Sequence, residues 1–190
     1  MKYRTLTPSA ILPCTIEFLK SQLRLTHDVH DAYLESLISA ATDWACGYTG
    51  RQINQAAIVG YCSYSGVKKF LLERGPVISI TKVEYLNNSG TYTEVLAANY
   101  SVLEDSYSAT IYVDDDFEFT DINWSRDGSI LITYIGGFGG TVTGSVAFPE
   151  VVKNAIALKA AAFYTNPSDG VDEKVSVSEN LLKSLRCPIV

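Results

Sequence analysis

His27, Asp28, His30 and Asp31 are the residues in this chain whose types and spacing come closest to a metal site. Two imidazoles three positions apart share one helix face, the arrangement a helix uses to offer paired nitrogen ligands, and the neighbouring carboxylates could complete the set. A zinc site also needs a third committed ligand and an apolar shell, and neither follows in the sequence. The favoured reading is therefore a polar helix start, with Asp28 as the cap and the imidazoles in water. These are the chain's 2 histidines. A Ser-His-Asp triad would have to use one of them, and no G-x-S-x-G elbow is present.

The densest acidic cluster is Asp114, Asp115, Asp116, Glu118 and Asp121. Oxygen-rich loops hold calcium, but an EF-hand alternates its ligands around a central glycine. Here three aspartates are consecutive and Phe117, Phe119 and Trp124 follow, which reads as a solvated or interface loop. Paired carboxylates for glycoside cleavage remain open on residue type alone, but no sugar cleft is suggested elsewhere. The glycine run Gly136, Gly137, Gly139, Gly140 lacks the Lys-Ser/Thr of a P-loop and does not fit G-x-G-x-x-G. It reads as a flexible joint. Cys14, Cys46, Cys62 and Cys187 have no C-x-x-C spacing, so free thiols in a reducing compartment are expected. No metal and no cofactor is expected.

Composition supports an ordered globular chain: 47% apolar, 19% charged, over 190 residues. The net charge of −6 arises entirely in residues 61–140, where eleven acidic groups face five basic ones. An acidic surface repels phosphate, which disfavours a DNA-gripping role while leaving an acidic wall beside sliding DNA possible. The N-terminal residues lack the apolar core of a signal peptide, and no apolar run approaches a membrane span. A cytoplasmic start and no membrane association are expected.

These residues need elements to position them. Residues 1–14 read as extended, with Pro8 and Pro13 blocking helix. Thr15 is placed to cap a short helix over Ile16–Leu23. From Asp28 the apolar positions Tyr33, Leu34, Leu37, Ile38, Ala41, Trp44, Ala45 and Tyr48 follow a 3.6-residue period, ended by Gly47, Thr49 and Gly50. Seven short strands are expected at 57–63, 69–72, 78–86, 92–95, 100–103, 110–113 and 130–135, with a hairpin turn at Asn87–Gly90. A second long helix begins at Pro149, a first-turn proline, and is expected to carry Val151, Val152, Ala155, Ile156, Lys159, Ala162 and Phe163 on one face. The predicted fold is α+β. A small helical bundle from both chain ends (1–55 and 146–166) holds an inserted antiparallel β segment (56–145). An extended linker and C-terminal tail (167–190) follows. The predicted bundle core is Leu19, Leu23, Leu34, Leu37, Ile38, Ala41, Trp44, Tyr48, Val152, Ala155, Ile156 and Phe163.

Several blocks then appear in a familiar order. Thr15–Leu25 reads TIEFLKSQLRL; an acidic turn follows; YLESLISAATDWACGYTGR runs to Arg51. Phe70–Val77 gives FLLERGPV, residues 132–139 give ITYIGGFG, and Leu181–Arg186 gives LLKSLR. In order and spacing the chain resembles head–tail connector (adaptor) proteins of tailed bacteriophages. It departs from them in a heavier acidic stretch at 104–121 and an insertion at Thr141–Ala147. The resemblance implies a non-enzymatic virion subunit at the head–tail interface, made in the host cytoplasm. It implies a homo-oligomeric ring, usually of twelve copies, beneath the portal protein, with a tail-completion or stopper protein on its other side. DNA would pass through the channel without sequence-specific binding. On that basis Leu181, Leu182, Leu185 and Arg186 are expected to form a portal-docking tail, and Asp114, Asp115, Asp116, Glu118 and Asp121 a lumen or rim loop. The alternatives are a DNA-packaging or DNA-binding accessory protein, disfavoured by charge, and a hydrolase built on the aspartate cluster.

Overall fold

A computed structural model describes residues 1–8, 10–124, 126–166 and 176–187. The elements run β1 (Lys2–Pro8), α1 (Ile16–Leu23), α2 (Asp31–Thr49), β2 (Ala56–Cys62), β3 (Lys69–Leu72), β4 (Val77–Leu86), β5 (Tyr92–Val95), β6 (Tyr100–Glu104), β7 (Ala109–Val113), β8 (Ile130–Gly136), α3 (Glu150–Thr165) and α4 (Val177–Leu182). Single 3-10 turns cover Ala97–Asn99 and Lys183–Leu185.

The helices close one core. Leu19 of α1, Leu34, Ile38 and Ala41 of α2, and Val152, Ala155 and Ile156 of α3 are buried together. Leu23, Leu37, Trp44, Tyr48 and Phe163 pack at its margin, half-buried. Each fully buried Leu or Ile contributes about 1.5–3 kcal/mol, so this stripe is what holds helices from distant parts of the chain together. Thr15 caps α1 by accepting from the Phe18 amide at 3.2 Å. Gly50, at φ 70°, ends α2 in the left-handed region with its amide on the Cys46 carbonyl. The start of α2 differs from expectation. His30 is the capping position and its side chain makes no cap bond. Tyr33 lies outward. Pro149 stands one place before α3 rather than in its first turn.

The β region is not a projecting insert. It forms two antiparallel sheets, ordered β1-β2-β8-β4-β5 and β3-β7-β6. Between them lies a second core: Ile58, Val83, Tyr85, Ile130, Ile132 and Tyr134 from the larger sheet, and Phe70, Leu72, Ile111 and Val113 from the smaller. The period of two decides the faces. In β8, Ile130, Ile132 and Tyr134 are buried while Leu131, Thr133 and Ile135 are half-buried on the other face. The N-terminal segment is part of this layer, since β1 pairs with β2 from Lys2↔Tyr61 to Pro8↔Ala56. Its exposed, alternating character hid it, as an edge strand buries only one side.

The glycine run is a fixed seam, not a flexible joint. The Phe138 amide donates to the Ile53 carbonyl at 2.7 Å and the Gln55 amide to the Phe138 carbonyl at 2.8 Å. Phe138 is buried. Gly137 has φ 105°, and a Cβ there would overlap the Asn54 backbone. Glycine is needed because the β8 exit lies directly on the chain leaving α2.

The C-terminal segment is not extended either. Ser176 caps α4, and residues Val177–Leu185 are helical. Residues 167–175 of the expected linker and Pro188, Ile189 and Val190 of the expected tail lie outside the described residues.

Candidate functional site

The His/Asp group is a joint between helices. The Lys20 ammonium of α1 donates to both Asp28 and Asp31, the latter at 2.9 Å. Hydrogen bonding to Lys20, reinforced by its charge, holds the Asp28 carboxyl below the usual carboxylate range. His30 Nδ1 lies 2.6 Å from the Tyr164 hydroxyl of α3, and His27 stacks edge-on to His30 at 5.0 Å. Among the described residues no three His, Cys, Asp or Glu side chains converge on a metal position. The carboxylates are spoken for by Lys20, and one imidazole by Tyr164.

The acidic loop follows β7. Its backbone wraps Lys68, whose ammonium donates to the Asp115 and Phe117 carbonyls, both at 2.7 Å. Phe117 and Phe119 turn inward: Phe119 lies 4.7 Å from Tyr64 and 5.3 Å from Tyr85, ring to ring. Asp114, Asp115, Asp116 and Glu118 are exposed, and their carboxylates form no ion pair among the described residues. Asp121, at φ 59°, accepts from the Asn88 side chain at 2.6 Å. The loop is thus a bracket held by Lys68 and by its inward-turned rings, and it displays negative charge.

The thiols are not activated. Burial pushes Cys14 up to about 11 and raises Cys46 and Cys62 as well. One shallow recess joins Ser63, whose hydroxyl donates to Asp127 at 2.7 Å, and Lys2, 3.2 Å from the same carboxylate. It holds no histidine, and both Lys2 and Asp127 are well exposed.

Two of the four residues expected in the docking tail, Leu182 and Leu185, are buried by their own chain. Leu182 and Leu185 lie inside the bundle core with Val152 and Ile156, and Leu181 packs at the margin. Apolar groups this close to the bundle are satisfied within the chain. Arg186 stays at the surface, over the Tyr48 ring at 5.0 Å.

Closure of this segment depends on a residue that was not singled out from the sequence, Arg51. Its guanidinium donates to the Leu185 carbonyl at 2.6 Å, the Tyr107 carbonyl at 2.7 Å and the Glu73 carbonyl at 3.2 Å, and it lies over the Tyr107 ring at 5.1 Å. The Cys187 amide adds a bond to the Thr49 carbonyl at 2.8 Å. One side chain therefore ties the helical layer, both sheet-side loops and the C-terminal turn together. Its signal was the final arginine of the quoted YTGR block, directly after the helix stop. Nearby, Lys159 lies 4.5 Å from the Trp44 ring, and Trp44 stacks on Tyr48 at 5.4 Å and 17°.

The geometry thus comprises two packed cores, charged groups used as joints and an acid-studded loop. The chain belongs to the phage gp6-like head-tail connector protein family, whose sequence model matches residues 14–111, just over half of the chain. This is a family of structural connectors, not of enzymes. No curated protein matches the sequence. Among solved structures, the chain is similar to one in the neck of an empty gene transfer agent (GTA) particle computed with C6 symmetry, at 20% identity and a TM-score of 0.74. It is also similar to a chain in the virion of a native GTA particle, at 20% and 0.75, and to one in the neck of a native GTA particle computed with C12 symmetry, at 21% and 0.72. Each similarity covers 100% of this chain and 97% of the other. At these identities they establish the shared fold.

Proposed function

We propose that this protein is a structural subunit at the head–tail interface of a phage-like virion, where copies close into a ring, twelve in number, beneath the portal protein. The ring extends the DNA channel and presents a platform to a tail-completion or stopper protein. The observation that carries this reading is the pairing of the family match over 14–111 with a likeness running the whole chain to proteins of GTA necks. The acidic bracket Asp114–Asp121 suits a lumen or rim position, since like charge lets DNA pass without adhering. With Leu182 and Leu185 withdrawn into the core, the portal-facing part of the C-terminal segment is its surface, including Arg186.

The test is removal of the gene from a phage that encodes it, followed by electron microscopy of the lysate. DNA-containing heads and free tails that fail to join are expected, and the supplied protein should restore joining. Normal tailed particles without the protein would overturn the reading. Charge reversal of Asp114, Asp115 and Asp116 is expected to lower titre without unfolding the chain, and an unchanged titre would remove the loop from the channel.

A further inference from the structure

We infer that neighbouring copies meet through opposite flanks of the β layer, with the basic edge strand β1 of one copy pairing antiparallel with the acidic edge strand β6 of the next. The inference rests on the ring reading above and adds which surfaces make its contact.

The geometry comes first. β1 and β5 are the two edges of the five-stranded sheet, with β2, β8 and β4 between them. Four strand spacings of about 4.8 Å put these edges about 19 Å apart. The smaller sheet repeats the polarity. Its β3 end sits by β1, because the Tyr3 hydroxyl donates to the Leu71 carbonyl at 3.3 Å and accepts from the Glu73 amide at 2.9 Å. Its β6 end joins β5 through the short link Leu96–Asn99. One flank of the layer is thus β1 and β3, and the other is β5 and β6. A closed ring repeats one heterologous contact, so it needs two different, complementary surfaces on opposite sides of the subunit.

The two edges are guarded unequally. An exposed edge strand is a template for another chain, and proteins usually guard it with lysine, proline or a bulge. β6 has none of these, and Val102 and Leu103, on its two faces, are 37% and 63% exposed. β1 carries all three guards, Lys2, Pro8 and a register shift at Leu6 between Thr5 and Thr7, but the shift and the proline lie past its Lys2–Thr5 half, where Lys2 and Arg4 are exposed. Those charges repel a generic strand and attract an acidic one.

The charges match in sign and position. Arg4 makes no ion pair or side-chain hydrogen bond among the described residues, and Lys2 reaches only Asp127, in an exposed pair worth little. On the other flank Glu94 and Glu104 are exposed and unpaired among the described residues, and Asp105 accepts only from Ser106 and Ser108. Glu94 also lies directly across from Glu84 in the β4–β5 ladder. A like-charge cross-strand pair is unfavourable, and Lys82, 2.6 Å from Glu84, pairs directly with that member and attracts Glu94 only at longer range. A cation from outside could pair Glu94 directly. Antiparallel docking brings the Lys2–Arg4 end of β1 against the Glu104–Asp105 end of β6. A parallel arrangement would set Leu6 there and leave the charges apart.

Two charge-reversed chains test this by sedimentation velocity over rising concentration: Lys2→Glu with Arg4→Glu, and Glu94→Lys with Glu104→Lys. Circular dichroism checks that each is folded. The wild type is expected to self-associate. Each variant alone should associate about tenfold more weakly or worse, because like charges then face each other. An equimolar mixture should regain assembly, since every flank then meets its opposite. Wild-type-like assembly of both variants alone, or a mixture that fails to recover, overturns the β1–β6 contact and leaves the ring reading standing. A wild type that stays monomeric at every concentration overturns the self-association on which both depend.

Discussion

Replacing Arg51 by alanine probes the closure of the domain most directly. Its guanidinium donates to carbonyls of three segments far apart in sequence, those of Leu185, Tyr107 and Glu73, at 2.6, 2.7 and 3.2 Å. A hydrogen bond with one charged partner contributes about 1.5–3 kcal/mol, and the two short bonds set the scale, so the loss should be about 3–6 kcal/mol. That is a large share of the roughly 5–15 kcal/mol that holds a typical domain folded. At about 2–4 °C per kcal/mol for a chain of this size, Tm should fall by about 6–24 °C. Thermal unfolding followed by circular dichroism reads the drop. Amide hydrogen exchange reads its location, with faster exchange expected across residues 176–187, because the Leu185 carbonyl loses its anchor. Arg51→Lys keeps the charge but offers a single ammonium, so it should recover part of the loss and not all of it. A change under about 1 kcal/mol with unaltered exchange in 176–187 would refute the clamp.

Leu182→Ala should cost about 2–5 kcal/mol by leaving a cavity in the bundle core, measurable by urea unfolding; a neutral result would mean the segment packs elsewhere. Gly137→Ala should cost about 1–3 kcal/mol, because φ 105° disfavours any side chain and the new Cβ meets the Asn54 backbone. The midpoint in urea checks it, and an unshifted midpoint would restore the flexible-joint reading. Lys20→Met should let the Asp28 carboxyl rise toward its ordinary value in an NMR pH titration. Because that carboxyl is depressed in the folded chain, its contribution is present above the unfolded pKa and is lost as pH falls through the folded one. The variant should therefore lose less stability than the wild type on acidification, and equal acid sensitivity would show that Lys20 is not its partner.

Local structure was largely legible in the sequence. Six of the seven strand positions depend on Val, Ile and Tyr runs bounded by turn residues, and β8, reading ILITYIG, announced its own faces. The α2 period named Leu34, Ile38 and Ala41, and the core uses them. What misled was polarity of position. β1 was read only as extended, since an edge strand with Lys2 and Arg4 outside carries little apolar signal. Leu182 and Leu185 were read as a free tail, because six apolar residues after a polar stretch look the same whether they dock on a partner or on their own bundle.

The amino-acid order by itself determined most of the elements, though not β1 or α4, together with the acid excess between 61 and 140 and the motif series that marks a connector, since each depends on neighbours within a few residues. Only the tertiary structure decided that Arg51 gathers Glu73, Tyr107 and Leu185, that Lys20 takes up Asp28 and Asp31, and that β1 and β6 end on opposite flanks. Those outcomes depend on which distant surfaces exclude water together, and residue spacing along the chain does not encode that distance.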